Sequence, residues 1–405
     1  MRLSRRLLVT AALVAALLPD TTLAQKKYDP GASDTTIRIG NTAPYSGPVS
    51  AYSAAAQAMA AYFRKINDDG GINGRKIDFV SIDDAYAPPK TVEAVRRLVE
   101  HEQVLLIFGM SGTATATAVH KYLNAKQVPQ LFIQSGASKW GDPKRFPWTM
   151  GWYPDYASEA DIYARYIRQQ MPDAKVALLY QNDDFGKDYR DGLRHGFGDA
   201  AAKTIVAELG YEPSAPSIDS EIAQLKASGA NVLVMAAVGR AATQAVRRSA
   251  ELGWQGMRIL ISPAINVDVV LRPAGLENAR GLISTTFRKD AYQDQWADDP
   301  GVKEWRAWMA KYNPDISLAN EFYITGYSMA QTMADVLRRA GDDLTRANIM
   351  RQAASIDRLA LPLLLPGITL NTSASDFYPI QTFRLARFDG ERWAVFGDPV
   401  GVDVK

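Results

Sequence analysis

The stretch VLLIFGMSGTATATAVHKYLN, residues 104–124, decides the fold. Val104–Phe108 is an apolar run of strand length, Gly109-Met110-Ser111-Gly112 is a turn, and the pattern is helical from Thr113 to Asn124. A buried strand that turns on glycines directly into a helix is the unit of a parallel α/β sheet. The free amides at such a helix start favour an anion. Ser111 and Thr113 add hydroxyls, Gly112 admits a close approach to the backbone, and no lysine stands nearby. A carboxylate therefore suits the turn better than a phosphate. The plainer alternative is an ordinary glycine turn with a helix cap.

The same logic recurs one strand on. Gln130–Ile133 reads as a strand, and Gln134-Ser135-Gly136-Ala137-Ser138 places small residues and hydroxyls at its carboxyl end, where open α/β sheets bind ligands. Upstream, Ile37–Thr42 and Ile77–Ile82 read as strands. Between them Met59, Tyr62, Phe63 and Ile66 lie at helical spacing, stopped by Asp68-Asp69-Gly70-Gly71. Val92, Val95 and Val99 form the stripe of a second helix entered at Pro88-Pro89. After Trp148–Met150 the pattern restarts, with strands expected at Val176–Tyr180, Thr204–Leu209, Val232–Ala236 and Arg258–Ile261. Trp296–Ala340 reads as helical again, and Thr382–Phe388 and Trp393–Phe396 flank the turn Asp389-Gly390. The fold class is α/β, with two similar parallel-sheet halves and no Ser/Gly/Pro-rich tether between them.

Composition narrows the function. In 405 residues, 46 Lys+Arg against 44 Asp+Glu give a net charge of +2, which offers no electrostatic footprint for nucleic acid. There is no cysteine, so disulfides, thiolate metal sites and a Cys nucleophile are excluded. The three histidines, His101, His120 and His195, read as surface residues without metal-ligand spacing. Asp83-Asp84 and Asp183-Asp184 could hold a divalent ion, but helix capping is the favoured reading. No cofactor or metal is expected. Gly109-x-Ser111 has part of a nucleophile-elbow pattern, with Thr113 where the closing glycine would stand, so a periplasmic serine hydrolase using Ser111 is the alternative of another class.

Arg2, Arg5 and Arg6 precede the apolar run Leu7–Leu18, and Thr22-Leu23-Ala24 has small residues at alternate positions. Residues 1–24 are expected to be an export signal, cut after Ala24. The run is too short to span a bilayer, and Ser4-Arg5-Arg6 is only a weak twin-arginine pattern. Removing residues 1–24 takes away three arginines and Asp20, leaving a chain near neutrality. Many aromatics, Tyr45, Tyr52, Tyr86, Trp140, Trp152, Tyr153, Tyr156 and Phe185 among them, fall at or near strand-to-helix loops and suit an apolar or planar ligand.

The chain resembles the type I periplasmic solute-binding proteins of the branched-chain amino-acid class, which serve ABC importers. The residues that carry this are Ile37-Arg-Ile-Gly40, Tyr45-Ser-Gly-Pro48 with Tyr52, Asn67-Asp-Asp-Gly-Gly71-Ile-Asn-Gly74 and Asn182-Asp-Asp-Phe-Gly186. The resemblance implies two Rossmann-like lobes joined by three hinge crossings. It divides the chain into residues 25–150 and 287–365 for the first lobe, and 151–286 and 366–405 for the second. It also implies a soluble periplasmic protein, expected as a monomer, that catalyses nothing and delivers a small molecule to a membrane permease. A sensor role at a membrane receptor would use the same closed lobes. The ligand carboxylate would meet Gly112, Thr113, Gly136, Ala137 and Ser138, with Tyr52 and Met110 beside it and Phe185, Arg240 and the Ala264 loop facing from the second lobe.

One departure bears on the ligand. The family's amino-acid binders carry an acid after the strand that here ends at Ile261, to pair with the ligand ammonium. This chain has Ser262-Pro263-Ala264-Ile265 there. An aromatic or phenylpropanoid-type acid without an amine is expected, and Trp140-Gly-Asp-Pro143 and Asp376-Phe-Tyr-Pro379 are similar to the aromatic-acid branch. A branched-chain amino-acid binder is the alternative within the class.

Overall fold

The strand-like runs of the sequence end in two large sheets. The computed structural model describes residues 26–401, and the predicted export signal with its cleavage point lies outside them. The strands are β1 Lys27–Tyr28, β2 Thr36–Ala43, β3 Lys76–Asp83, β4 Leu106–Phe108, β5 Gln130–Ile133, β6 Thr149–Gly151, β7 Val176–Gln181, β8 Ile205–Tyr211, β9 Val232–Ala236, β10 Met257–Leu260, β11 Ile283–Thr286, β12 Asp343–Leu344, β13 Thr382–Phe388 and β14 Trp393–Gly401. The first sheet has the order β3-β2-β4-β5-β6 and is parallel throughout. The second has the order β14-β13-β11-β10-β9-β7-β8, parallel except for the antiparallel returns β13 and β14. β1 pairs only with β12, in a small two-stranded ribbon.

Alternation along β4 explains why the decisive run is apolar throughout. Leu106 and Phe108 pack in one buried cluster and Ile107 in another, because successive side chains leave opposite faces of a strand. Helices cover both faces. On one lie α1, Ala54–Asp68, and the helix Glu321–Ala340, and on the other α2, Pro88–Arg96, and α3, Thr113–Ala125. The α1 crossing is close enough to need a glycine, since a Cβ on Gly326 would stand 2.2 Å from the Ala55 carbonyl oxygen. In the second lobe α4, Tyr156–Gln170, packs on α5, Asp184–Phe197, over an apolar sheet in which β9 is buried at every position.

Three features differ from the sequence expectation. The helical stretch 296–340 is two helices, Pro300–Tyr312 and Glu321–Ala340, capped by Asp299 and Asn320, and Asn313-Pro314 prevents a continuous helix. β11 falls in a segment that carried no expected element. The chain also re-enters the second sheet late, since Phe377 and Ile380 still pack in the first cluster and β13 begins at Thr382. The chain passes between the lobes at 151–156, 286–290 and 377–382, three ordered crossings of the kind a hinge requires.

Candidate functional site

The turn Gly109–Gly112 opens toward the second lobe. Gly112 has φ of +95°, and a Cβ on it would stand 2.4 Å from the Tyr86 ring, so the residue before α3 must be glycine and carries no side chain to cap the helix amides. Ser111 donates from Oγ to Gln134 Oε1 at 2.8 Å, while Gln134 Nε2 is buried without a partner. Ser135 Oγ accepts from Trp140 Nε1 at 3.0 Å and from the Ala137 amide at 3.2 Å. With both lone pairs taken it is the donor to Thr113 Oγ1 at 2.7 Å, which leaves the Thr113 proton to point elsewhere.

These groups face a cavity of about 40 Å³ between the lobes. From the first lobe come Pro44, Val49, Tyr52, Tyr86, Ser111, Gly112, Thr113 and Gln134. From the first crossing come Tyr153 and Tyr156, and from the second lobe Phe185, Val238 and Pro263. No charged side chain is among them. Tyr153 Oη accepts from Arg288 Nη1 at 3.2 Å and Tyr86 Oη from Gln181 Nε2 at 3.3 Å, so each phenol keeps its own proton to donate. Burial pushes the Tyr52 and Tyr86 phenols up, which keeps them protonated. The wall is apolar and aromatic, and its unspent polar groups are donors.

The lobes touch around this cavity. Tyr52 Oη donates to the Pro263 carbonyl at 2.9 Å and accepts from the Gly239 amide at 3.4 Å. Ala85 and Tyr86 both hold left-handed backbone conformations, a strain of about 1–3 kcal/mol each that delivers the Tyr86 ring over Gly112 and its hydroxyl to Gln181. Beside the cavity, Lys139 pairs with Asp184, the Ser138 amide donates to Asp188 Oδ2 at 3.0 Å, and Tyr378 Oη donates to the Ser138 carbonyl at 2.5 Å.

Of the residues expected at the site, Tyr52, Gly112, Thr113 and Phe185 line the cavity, and six do not. Met110 points into the sheet's far face, where Gln130 Nε2 donates to its sulfur. Gly136 is backed by Pro154 and Tyr156, with its carbonyl taken by the Tyr156 amide. Ala137 is packed with Trp140. Ser138 spends its amide on Asp188 and its hydroxyl on Asp155. Arg240 is exposed and donates to the Ala215 carbonyl. Ala264 is buried, and its neighbour Pro263 reaches the wall instead. Ser111 has no base at hand. His120, expected at the surface, is buried against Trp140 and Phe146 with Nδ1 on the Thr117 carbonyl. Asp183 caps α5, whereas Asp84 braces a turn by accepting from the Tyr86 amide and Thr91 Oγ1 rather than capping α2. Among the described residues no group of His, Asp or Glu could hold a metal, and no helix is long and apolar enough to cross a membrane.

Asp188 supplies a pH prediction. Burial first, then the Asp155 charge, push its carboxyl up to about 7 against the pull of the Ser138 amide. A carboxyl raised in the folded state favours folding below its ordinary value, and that contribution is lost as pH rises through about 7. Asp188→Asn is therefore expected to melt about 1–3 °C above the wild type at pH 8, with the gap closing by about pH 5. Thermal melts at the two pH values check this, and an equal difference at both would refute it.

A family model described as periplasmic binding protein matches residues 36–392. The chain belongs to the periplasmic binding protein family, and its fold is the type I form with two parallel-sheet lobes; the family is one of solute-binding proteins, not enzymes. The "Leu/Ile/Val-binding protein homolog 3" of Brucella melitensis is 25% identical over 323 residues, covering 76% of this chain and 81% of that protein. A branched-chain amino-acid ABC transporter protein from Thermus thermophilus, solved with bound valine, has a TM-score of 0.79 at 18% identity, covering 92% of this chain and 98% of that one. A fatty acid ABC transporter substrate-binding protein from Thermomonospora curvata has a TM-score of 0.76 at 18% identity, covering 93% and 95%.

Proposed function

We propose that this chain is the periplasmic solute-binding component of an ABC importer and that it captures a small carboxylic acid lacking an amino group, with an aromatic or phenylpropanoid-type acid as the favoured ligand. The observation that carries the reading is the cavity wall, which is rich in tyrosine and spare donors and has no acidic side chain. The carboxylate would lie at the start of α3, against Thr113 and the helix amides, and the ring among Tyr52, Tyr86, Tyr156 and Phe185. An ammonium group would be buried with no counter-charge, at a cost of several kcal/mol. The export signal, the handover to a membrane permease and action as a monomer belong to the same reading. The names of the relatives favour a second one, a branched-chain amino acid, whereas the fatty-acid protein is named for a carboxylate without an amine on this fold.

Calorimetric titration of the mature chain with matched pairs separates the two. 3-Phenylpropanoate against L-phenylalanine, and 4-methylpentanoate against L-leucine, differ only by the amino group. The acids are expected to bind at least about 100-fold more tightly, a difference of about 2.7 kcal/mol. Tighter binding of the amino acids would overturn the carboxylate reading and favour the second.

A further inference from the structure

Gln134 is 7% exposed, lines the cavity and has an amide nitrogen without a partner. Buried polar atoms in folded proteins are almost always paired, so an orphan on a residue that lines a cavity marks a group that a ligand can complete. Its geometry is fixed at both ends. The main chain is held by hydrogen bonds from the Gln134 amide to the Met110 carbonyl and from the Gly112 amide to the Gln134 carbonyl, at 2.8 and 3.4 Å. The side-chain oxygen is held by Ser111 Oγ at 2.8 Å. The Ser111 hydroxyl, which stands where a ligand donor would be expected, is thereby spent on orienting the amide.

Resting on the carboxylate reading above, we infer that Gln134 is a specificity-determining residue: Ser111 turns its carboxamide so that Nε2 donates to an oxygen of the ligand carboxylate and meets an ammonium group donor against donor. The discrimination against amines then has two sources. The second lobe offers no acid, and the first lobe puts an N–H where an amine would need an acceptor. With the amide reversed, Oε1 would face the cavity and welcome an amine, so the side chain's orientation decides the sign of the preference.

The test titrates wild type, Gln134→Met and Gln134→Glu with 3-phenylpropanoate and L-phenylalanine, with unliganded melts to confirm that each variant folds. Gln134→Met keeps the length of the side chain and removes the donor, and is expected to weaken 3-phenylpropanoate binding about 10- to 100-fold. Gln134→Glu puts a carboxylate opposite the ligand's own, and is expected to weaken the acid further while shifting the acid-to-amino-acid ratio at least about 10-fold toward L-phenylalanine. A merely structural role would weaken both ligands alike and leave the ratio unmoved. Acid binding by Gln134→Met within about 3-fold of the wild type, or an unchanged ratio in Gln134→Glu, overturns this assignment while the carboxylate reading stands. Failure of the wild type to bind either acid of the matched pairs overturns both.

Discussion

Arg288→Met is expected to lower the unfolding free energy by about 3–5 kcal/mol at pH 8 and by much less at pH 5. The side chain is 4% exposed and sits on the second crossing between the lobes. Its guanidinium donates to Tyr153 Oη and to Thr325 Oγ1 and lies 3.5 Å from Glu321 Oε2. Burial pushes the Glu321 carboxyl up to about 7, and burial together with the Glu321 charge pushes Asp290 up as well, while Arg288 pulls both down. Without the guanidinium both carboxyls move further up. Carboxyls raised in the folded state favour folding below their ordinary values and cost stability as pH rises through the folded ones. The deficit of the variant therefore grows between about pH 5 and pH 8.

Urea unfolding at the two pH values measures it, and the double variant Arg288→Met/Glu321→Gln should recover more than half of the loss at pH 8. A deficit below about 1 kcal/mol, or one equal at both pH values, would show that the arginine is not compensating these acids. Function follows from the same contact. Tyr153 is part of the cavity wall and Arg288 is its hydrogen-bond partner, so the second crossing between the lobes is anchored to a residue that lines the cavity.

Most strands of the two sheets were legible, the inner ones because a parallel strand buried on both faces must be apolar at every position, as at Val232–Ala236, and because most turns into a helix are marked by glycine or proline; the three-residue edge strand β6, Thr149–Gly151, carried no expected strand. β11 was not legible either, since Ile283–Thr286 carries three hydroxyl residues in four, and its polarity is matched by partners distant in sequence, Tyr163 and Glu159. At the cavity the loops were legible and the side chains were not. The chain leaves strand geometry after Ile133, so the side chains beyond it no longer alternate by face: Gln134 lines the cavity, while Gly136, Ala137 and Ser138 turn to Tyr156, Trp140 and Asp155, and within the short turn Ser262–Ala264 it is Pro263 that lines the cavity and not Ala264. Arg240 sits in the first turn of the helix Gly239–Glu251 and is exposed, whereas Arg288, a buried cation, lies on a crossing without any local motif. The delivery of Tyr86 depends on two left-handed residues, Ala85 and Tyr86, whose types do not announce that conformation. A position aligned by motif thus fixes where the chain runs, and the hydrogen bonds of its neighbours fix which way it looks.

Glu159→Ala is expected to cost more than about 4 kcal/mol, enough that the variant accumulates poorly as folded protein. Glu159 is 1% exposed on α4, and its carboxylate receives five donors. The Tyr163 hydroxyl, the Ser262 amide at 2.8 Å and Thr285 Oγ1 at 2.9 Å meet Oε1, and Tyr189 Oη at 2.7 Å and Ser262 Oγ at 2.9 Å meet Oε2. Burial pushes this carboxyl up and the donors pull it back. Alanine would take the acceptor from all five in a dry interior, leaving only the Tyr163 and Thr285 hydroxyls, 3.2 Å apart, able to turn to each other, whereas Glu159→Gln keeps an acceptor and should lose about half as much. Chemical unfolding of both variants ranks them, and an alanine variant as stable as the glutamine one would remove the network from the account. The consequence reaches the cavity because Ser262 precedes Pro263, which lines it and whose carbonyl accepts from the Tyr52 hydroxyl. The acid nearest this loop lies behind it and is saturated by protein donors, so it holds the loop in place and offers the cavity no counter-charge. The stability that Glu159 supplies and the absence of an acidic side chain from the cavity wall are thus two results of one arrangement.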